Sequence, residues 1–482
     1  MKKISLLIFV SFSTLVSLFL ISLTIYLNRY FGEVSLTQII FHLNFANNLI
    51  VDSDEYIIKK FIEICLYLPA IIYIILCAVI YLLNKFLYKD NLNSLISNKL
   101  KLFSSSIFLL SSILYFLLNI NIGNIKLNKL DVISNYYIDP KDLEYNFKES
   151  KNLVLIYVES YENIFSDKSI FGEDLLQMFN TDPFKKKGFK ELNQTILTNW
   201  TIAAIVASQC GLPLKNVGIF SFGKNKGKHQ RQVFGMKQFL PGAMCLSEIL
   251  KKGNYKNIFV SSPNLSFSGT GNFFKTHGYD ELYGKKEFDN LGLKYEGKSW
   301  GNGPNDSFLF NFSKNKIDNL ISSSKFNLTI LTTDTHEPNG YLDPNCKLKE
   351  NNIKSVVKCS TEELYNFIYY LTDKYGDKIN IVVVGDHQFR FKNNSQYDGK
   401  DRTIFNRFIS DNEKIFYRNK LNFYDLFPSI VDFINIKYVD NKLGIGVSGF
   451  KKIDIREYNK RYNLLEENIL NRSKFYENFW KN

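Results

Sequence analysis

A hydroxyl and several carboxylate and imidazole groups stand where this chain changes direction. Thr201 lies two residues after Asn199 and just ahead of the apolar run Ile202 to Ala207. That order puts it in the first turn of a buried helix, where unpaired N–H groups and the positive end of the helix dipole hold an anion such as phosphate. A threonine there also serves as a plain cap, so the neighbouring segments decide the reading. Glu159 and Ser160 follow the apolar run Asn152 to Val158, and Asp334 and His336 follow Phe326 to Thr333. Asp386 and His387 follow Lys378 to Val384 and Gly385. With only five histidines in the chain, this concentration points to a metal site. Carboxylate plus imidazole suits one divalent ion, zinc or manganese, with magnesium as a further option. A threonine hydroxyl is a poor nucleophile until it is deprotonated or metal-bound. A cation held by Glu159, Asp386 and His387 stabilises the Thr201 alkoxide, itself a fourth ligand, and polarises a phosphoryl oxygen.

The elements that must position these groups follow from the apolar pattern. Runs at Asn152–Val158, Lys256–Ser261, Phe326–Thr333 and Lys378–Val384 alternate with helical periods, which predicts an α/β domain with a mostly parallel sheet between helices. In such a sheet, ligands gather at the carboxyl ends of the strands. Before this domain, Ile4–Leu27, about Phe61–Leu83 and about Leu102–Ile122 each read as a transmembrane helix. Val34–Ile50, which carries His42, Asn44, Asn47 and Asn48, reads as an interfacial or loop segment, with a fourth span as the alternative. Lys2, Lys3, Lys85, Lys89, Lys99 and Lys101 put the N-terminus and the second loop in the cytoplasm. Three spans place everything after Ile122 outside, and four would reverse that. The expected organisation is a membrane region 1–123, a linker 124–150, a catalytic domain 151–450 and a helical extension 451–482.

The net charge of +13 favours an anionic partner, and without any nucleic-acid module a membrane surface is the better fit than nucleic acid. Of six cysteines, Cys65 and Cys77 fall in the second span. Cys346 and Cys359, separated by a Lys/Asn-rich loop in the outer part, are expected to pair, leaving Cys210 with Cys245. No CxxC occurs, which argues against a cysteine zinc site.

From about Lys151 to Phe450 the chain resembles the sulfatase-like transferases of the alkaline-phosphatase superfamily. Among these it is most similar to the phosphoglycerol transferases, with lipoteichoic acid synthases and lipid A phosphoethanolamine transferases as relatives. The likeness rests on Trp200–Ala203, Val206–Leu214, Thr335-His336 and Gly385–His387, supported by Phe274–Tyr279, Ser299–Gly301, Asn305–Ser307 and Asp425–Pro428. It implies an alkaline-phosphatase-like fold, Thr201 as nucleophile, and Glu159, Asp386 and His387 as metal ligands. It also implies that His336 meets the substrate phosphate or protonates the leaving group, with Trp300 and Asp306 near the head group. His277 falls on a mainly structural signature, and Ser208 reads as a packed hydroxyl. The implied setting is a bacterial inner membrane with the catalytic domain on its outer side. There phosphoglycerol would pass from phosphatidylglycerol to a periplasmic or surface glycan.

Phosphoethanolamine transfer from phosphatidylethanolamine to lipid A or another glycan is the alternative within this chemistry. A non-catalytic envelope protein that binds glycan or lipid is the alternative outside it. Lipoteichoic acid synthases carry an arginine soon after the Trp-Gly pair, where this chain has Asn302-Gly303-Pro304. The Ser-Asp-His of many relatives is Gly385-Asp386-His387. No Cys/Ser-x-Pro-x-Arg signature surrounds Thr201, which disfavours sulfate-ester hydrolysis.

Overall fold

The computed structural model describes residues 2–31, 39, 55–88, 98–120, 130–185, 187–215, 238–391, 397, 399–400 and 402–481. They divide into an N-terminal helical unit and a larger α/β unit.

The helical unit contains α1 (Lys2–Phe31), α2 (Leu68–Tyr88) and α3 (Asn98–Asn119). A short helix Glu55–Phe61 runs into α2 through a π-helical turn, Ile62–Tyr67. Ser5–Tyr30, Ile58–Leu83 and Leu100–Asn119 are each long and apolar enough to cross a membrane. Leu7, Ile74 and Leu118 are exposed, as lipid-facing side chains are. The hydroxyls of Ser13, Ser17 and Thr24 each donate to the carbonyl four residues earlier, which satisfies these three polar hydrogens within the helix. The fourth-span alternative at Val34–Ile50 lies, apart from Ile39, outside the described residues.

In the α/β unit the strands are β1 (Asn152–Val158), β2 (Glu191–Asn193), β3 (Lys256–Ser261), β4 (Glu281–Tyr283), β5 (Phe326–Leu331) and β6 (Ile379–Gly385). They continue with β7 (Asn406–Ile409) and β8 (Lys420–Asn422). The central sheet has the order β4-β3-β5-β1-β6-β7, parallel except for the antiparallel edge strand β7. β2 and β8 form a separate parallel pair. Every residue of β1 is buried because both faces of the sheet are covered, which is why it reads as an unbroken apolar run. Leu153, Leu155 and Tyr157 enter one core, while Val154, Ile156 and Val158 enter the other.

The first core is capped by α4 (Thr201–Cys210), α5 (Leu246–Lys252), α8 (Leu426–Phe433) and α9 (Ile455–Asn468). The second is capped by α6 (Asp306–Leu320) and α7 (Ile353–Tyr375). Cys210, the last residue of α4, is disulfide-bonded to Cys245 at the start of α5, and Cys346 is joined to Cys359 in α7.

Two boundaries differ from the sequence reading. The described part of the expected linker, residues 130–150, is built into the α/β unit. Val132 and Ile133 are buried in its first core, and Ile138 and Asn146 bridge to Gly444 and Lys437. The C-terminal residues 451–482 are likewise integral: Leu465, Ile469, Tyr476 and Phe479 fill the same core. Polar composition hid both, because each segment buries only a few apolar side chains among many charges.

Candidate active site

β1 lies between β5 and β6, so the chain segments leaving these three strands meet at one carboxyl edge. From β1 comes Glu159, followed by Ser160 in the left-handed region at φ 52°. That strained turn aims two groups of one residue in useful directions. The Ser160 N–H donates to Asp386 Oδ1 at 2.7 Å, and its hydroxyl donates to Glu159 Oε1 at 2.7 Å. From β6 come Asp386 and His387, and the His387 N–H donates to the same Asp386 Oδ1 at 2.8 Å. Gly385 permits this approach, since a Cβ there would lie 1.8 Å from the Tyr161 carbonyl oxygen.

α4 presents Thr201 as its first residue, with Trp200 as an extended N-cap. The Thr201 hydroxyl donates to Glu159 Oε2 at 3.2 Å. His387 Nε2 stands 3.2 Å from Glu159 Oε1 and 3.6 Å from Asp386 Oδ2. Its Nδ1 lies 3.0 Å from the Gln388 carbonyl, which assigns one ring proton to Nδ1 and makes Nε2, on the carboxylates' side of the ring, the nitrogen that a cation would take once its proton is displaced. Glu159, Thr201, Asp386 and His387 thus share one pocket.

The pocket suits a divalent cation on two counts. Asp386 Oδ2 is buried and has no hydrogen-bond partner among the described residues, a lone pair that a ligated ion would use. The electrostatics agree. Burial pushes Glu159 up, but His336 and His387 outweigh it and hold the carboxyl well below the usual range. Burial, and then the charge of Glu159, push Asp386 up to about 7. Burial lowers His387, yet Asp386 and Glu159 carry it up to about 10. Protons held this firmly between buried ligands are what a bound cation displaces. Ligand atoms of Glu159, Asp386 and His387 lie within 4.8 Å of one another.

His336 stands on the same edge, after β5. Its Nδ1 is 2.9 Å from the Glu337 carbonyl, and its ring stacks on Trp300 at 4.8 Å between centroids. Trp300 in turn meets Phe267 edge-on at 4.4 Å. Glu159, His336 and Glu337 form a second close group.

Asp334, also at the end of β5, turns away from this pocket. Its carboxylate accepts from Asp306 N and Asn305 Nδ2, both at 3.0 Å. Asp306 reciprocates, accepting from Thr333 N at 2.8 Å and Asp334 N at 3.2 Å. Both carboxylates are therefore occupied in clamping the β5 exit to the start of α6. Ser208 is fully buried, 2.7 Å from the Tyr157 hydroxyl and bonded to Ala204 O. His277 is buried against Glu248.

Sequence reasoning passed over four residues that shape this edge. Glu162 is buried in an ion pair with Arg402 and accepts the Phe389 N–H, which fixes the segment after His387. Arg390 donates to the Asn199 carbonyl, and Glu337 accepts the Arg390 N–H. Gln388-Phe389-Arg390 directly after the Asp-His pair was the one available signal for a cation beside the ligands.

No family model matches the chain. Phosphoglycerol transferase I of Escherichia coli O127:H6 is 33% identical over 251 residues, covering 50% of this chain and 31% of that protein. The chain thus spans about a third of the length of this curated relative. A solved protein of the alkaline phosphatase superfamily from Vibrio parahaemolyticus aligns with TM-score 0.49 at 19% identity, over 68% of this chain and 80% of that one. The lipoteichoic acid synthase LtaP from Listeria monocytogenes aligns with TM-score 0.48 at 16% identity, over 66% and 80%.

Proposed function

We infer that this chain, similar over half its length to phosphoglycerol transferase I, is a membrane-anchored, metal-dependent transferase. It moves phosphoglycerol from phosphatidylglycerol to a glycan hydroxyl through a covalent threonine. The reading rests on one observation: the Thr201 hydroxyl at a helix N-terminus bonds Glu159, beside the orphaned Asp386 Oδ2 and His387.

A divalent cation, zinc or manganese, held by Glu159, Asp386 and His387 supplies Lewis acidity to the Thr201 oxygen and to the phosphoryl group. The protein does the rest. The Thr201 proton points to Glu159 Oε2, which leaves the oxygen's lone pairs for phosphorus. As the Oγ1–P bond forms the Thr201 proton passes to Glu159 Oε2, and the P–O bond to diacylglycerol breaks, the leaving oxygen taking a proton from His336 Nε2. In the second step a glycan hydroxyl returns a proton to His336 as its oxygen displaces Thr201, which regains its own. The N–H groups at the start of α4 hold the transferring anion. Trp300, stacked on His336, forms a wall for the head group.

Glycerol is favoured over ethanolamine because the chain is 33% identical over 251 residues to phosphoglycerol transferase I. Three apolar helices keep the enzyme on the bilayer that carries its donor, and the proposed side is the outer face of a bacterial inner membrane.

The test is intact-mass and peptide mapping of detergent-purified protein incubated with manganese and one phospholipid, without acceptor. A phosphoglycerol adduct on Thr201 with phosphatidylglycerol alone supports the reading. An adduct from phosphatidylethanolamine alone replaces the donor. No adduct and no diacylglycerol release from either lipid refutes both.

A further inference from the structure

Arg390 occupies a place that the mechanism above leaves without work. It follows His387 by three residues, and the backbone just before it is fixed. Gln194 Oε1 accepts the Gln388 N–H at 2.8 Å, and the buried Glu162 carboxylate accepts the Phe389 N–H at 2.9 Å. Arg402, paired with Glu162, also bonds the Phe389 carbonyl. From this fixed stem Arg390 reaches two walls of the pocket. Its N–H donates to Glu337 Oε1 at 3.2 Å, next to His336, and its Nη2 donates to the Asn199 carbonyl at 2.7 Å. Asn199 is two residues before Thr201. These are the only hydrogen bonds of Arg390 among the described residues, so Nη2 alone of the guanidinium nitrogens is engaged. The side chain is half-buried.

A guanidinium has five N–H donors in a planar fork suited to two oxygens of one phosphate. Tethering one carbonyl would need a single donor and no charge. We propose that Arg390 binds the non-bridging phosphoryl oxygens of the group transferred at Thr201, with the Asn199 carbonyl holding its guanidinium at the mouth of the α4 N-terminus. The proposal rests on the transferase reading and deepens it. The bound phosphodiester carries a negative charge into a pocket already lined by Glu159 and Asp386, so a cation beside the anion offsets their repulsion. Because the same residue donates to Glu337, the anion-binding group is coupled to the segment that carries His336.

The test uses full-length, detergent-purified protein with Thr201→Ala, so that binding is read without turnover. Manganese affinity, inorganic phosphate affinity in the manganese-loaded state and melting temperature are measured with Arg390 intact, as R390Q and as R390K. Glutamine keeps a donor for the Asn199 carbonyl and removes the charge. The expected result is phosphate affinity about tenfold or more weaker in R390Q, recovery of part of that loss in R390K, and unchanged manganese affinity and melting temperature. Equal phosphate affinity in R390Q overturns the proposal, as does a loss that manganese affinity or melting temperature follows, since that would make Arg390 a tether only. Manganese-dependent phosphate binding that is absent even with Arg390 intact overturns the transferase reading itself.

Discussion

Asp386→Asn separates metal holding from folding. In the parent, Asp386 Oδ1 accepts two backbone N–H groups, from Ser160 at 2.7 Å and His387 at 2.8 Å, while Oδ2 has no hydrogen-bond partner among the described residues. An asparagine that turns its carbonyl to those two N–H groups keeps both bonds. Its amide nitrogen then replaces the orphaned oxygen, and it donates where a ligand must accept. Partners that merely orient metal ligands cost about 10–100-fold in affinity when removed, so loss of a charged ligand should cost at least about 100-fold. At an ion concentration about 100 times the parent's dissociation constant, the parent gains ~2.7 kcal/mol and the variant only a few tenths. With an unfolding entropy of about 2.1 cal/mol/K per residue over roughly 350 residues, that difference moves the melting temperature by ~3–4 °C.

Without metal the sign reverses. Burial and Glu159 push Asp386 up to about 7, so above that pH the neutral amide removes a repulsion and the metal-free variant melts no lower than the parent. Thermal melts with chelator and with excess manganese, together with calorimetric titration of the ion, give all three quantities. A variant that binds manganese as tightly as the parent would refute the ligand assignment. One that melts well below the parent in chelator would refute the claim that the two N–H bonds survive.

Thr201→Ala should stay folded within about 1 kcal/mol, because the hydroxyl makes one hydrogen bond to a carboxylate and alanine suits a helix start. Its diacylglycerol release should fall by about a thousandfold or more, with Thr201→Ser retaining a measurable rate; a rate within tenfold of the parent would remove Thr201 as nucleophile. Glu363→Gln addresses the acidic cluster behind α7. Burial, then Asp343 and Asp334, push Glu363 up to about 9. Its folded-state value lies above the unfolded one of about 4.3, so its contribution is full below pH ~4.3 and fades as pH rises towards the folded value. Parent stability should therefore decline between pH 5 and 9 by an amount on the order of 3 kcal/mol that glutamine, neutral throughout, does not lose. Parallel pH–melting curves for the two proteins would contradict this.

The sheet's centre was readable because β1, β3, β5 and β6 are buried on both faces and so spell apolar runs. Their carboxyl ends then pointed to Glu159, His336, Asp386 and His387. The edge strands were not readable. β4 has three half-buried residues, and β7 reads Asn-Arg-Phe-Ile, with Arg407 Nη2 donating to the Phe179 carbonyl and Asn180. Asp334 sat at a strand end like the others, yet it closes a reciprocal clamp with Asp306, a partner 28 residues away that local spacing cannot reveal. Arg390 escaped for a related reason: its meaning comes from the Asn199 carbonyl, 191 residues distant.

The contact at Gly385 has a consequence for how this protein can vary. A Cβ there would fall 1.8 Å from the Tyr161 carbonyl oxygen and 3.1 Å from an Ile404 methyl, and the first obstacle is backbone that no rotamer change can move. Any side chain at 385 therefore demands that the Ser160–Tyr161 turn retreat, carrying Glu159 with it and stretching the distance to His387. In a randomised library this position should be closed in isolation and open only in company with changes at 160 and 161, so the three positions form a single unit of inheritance.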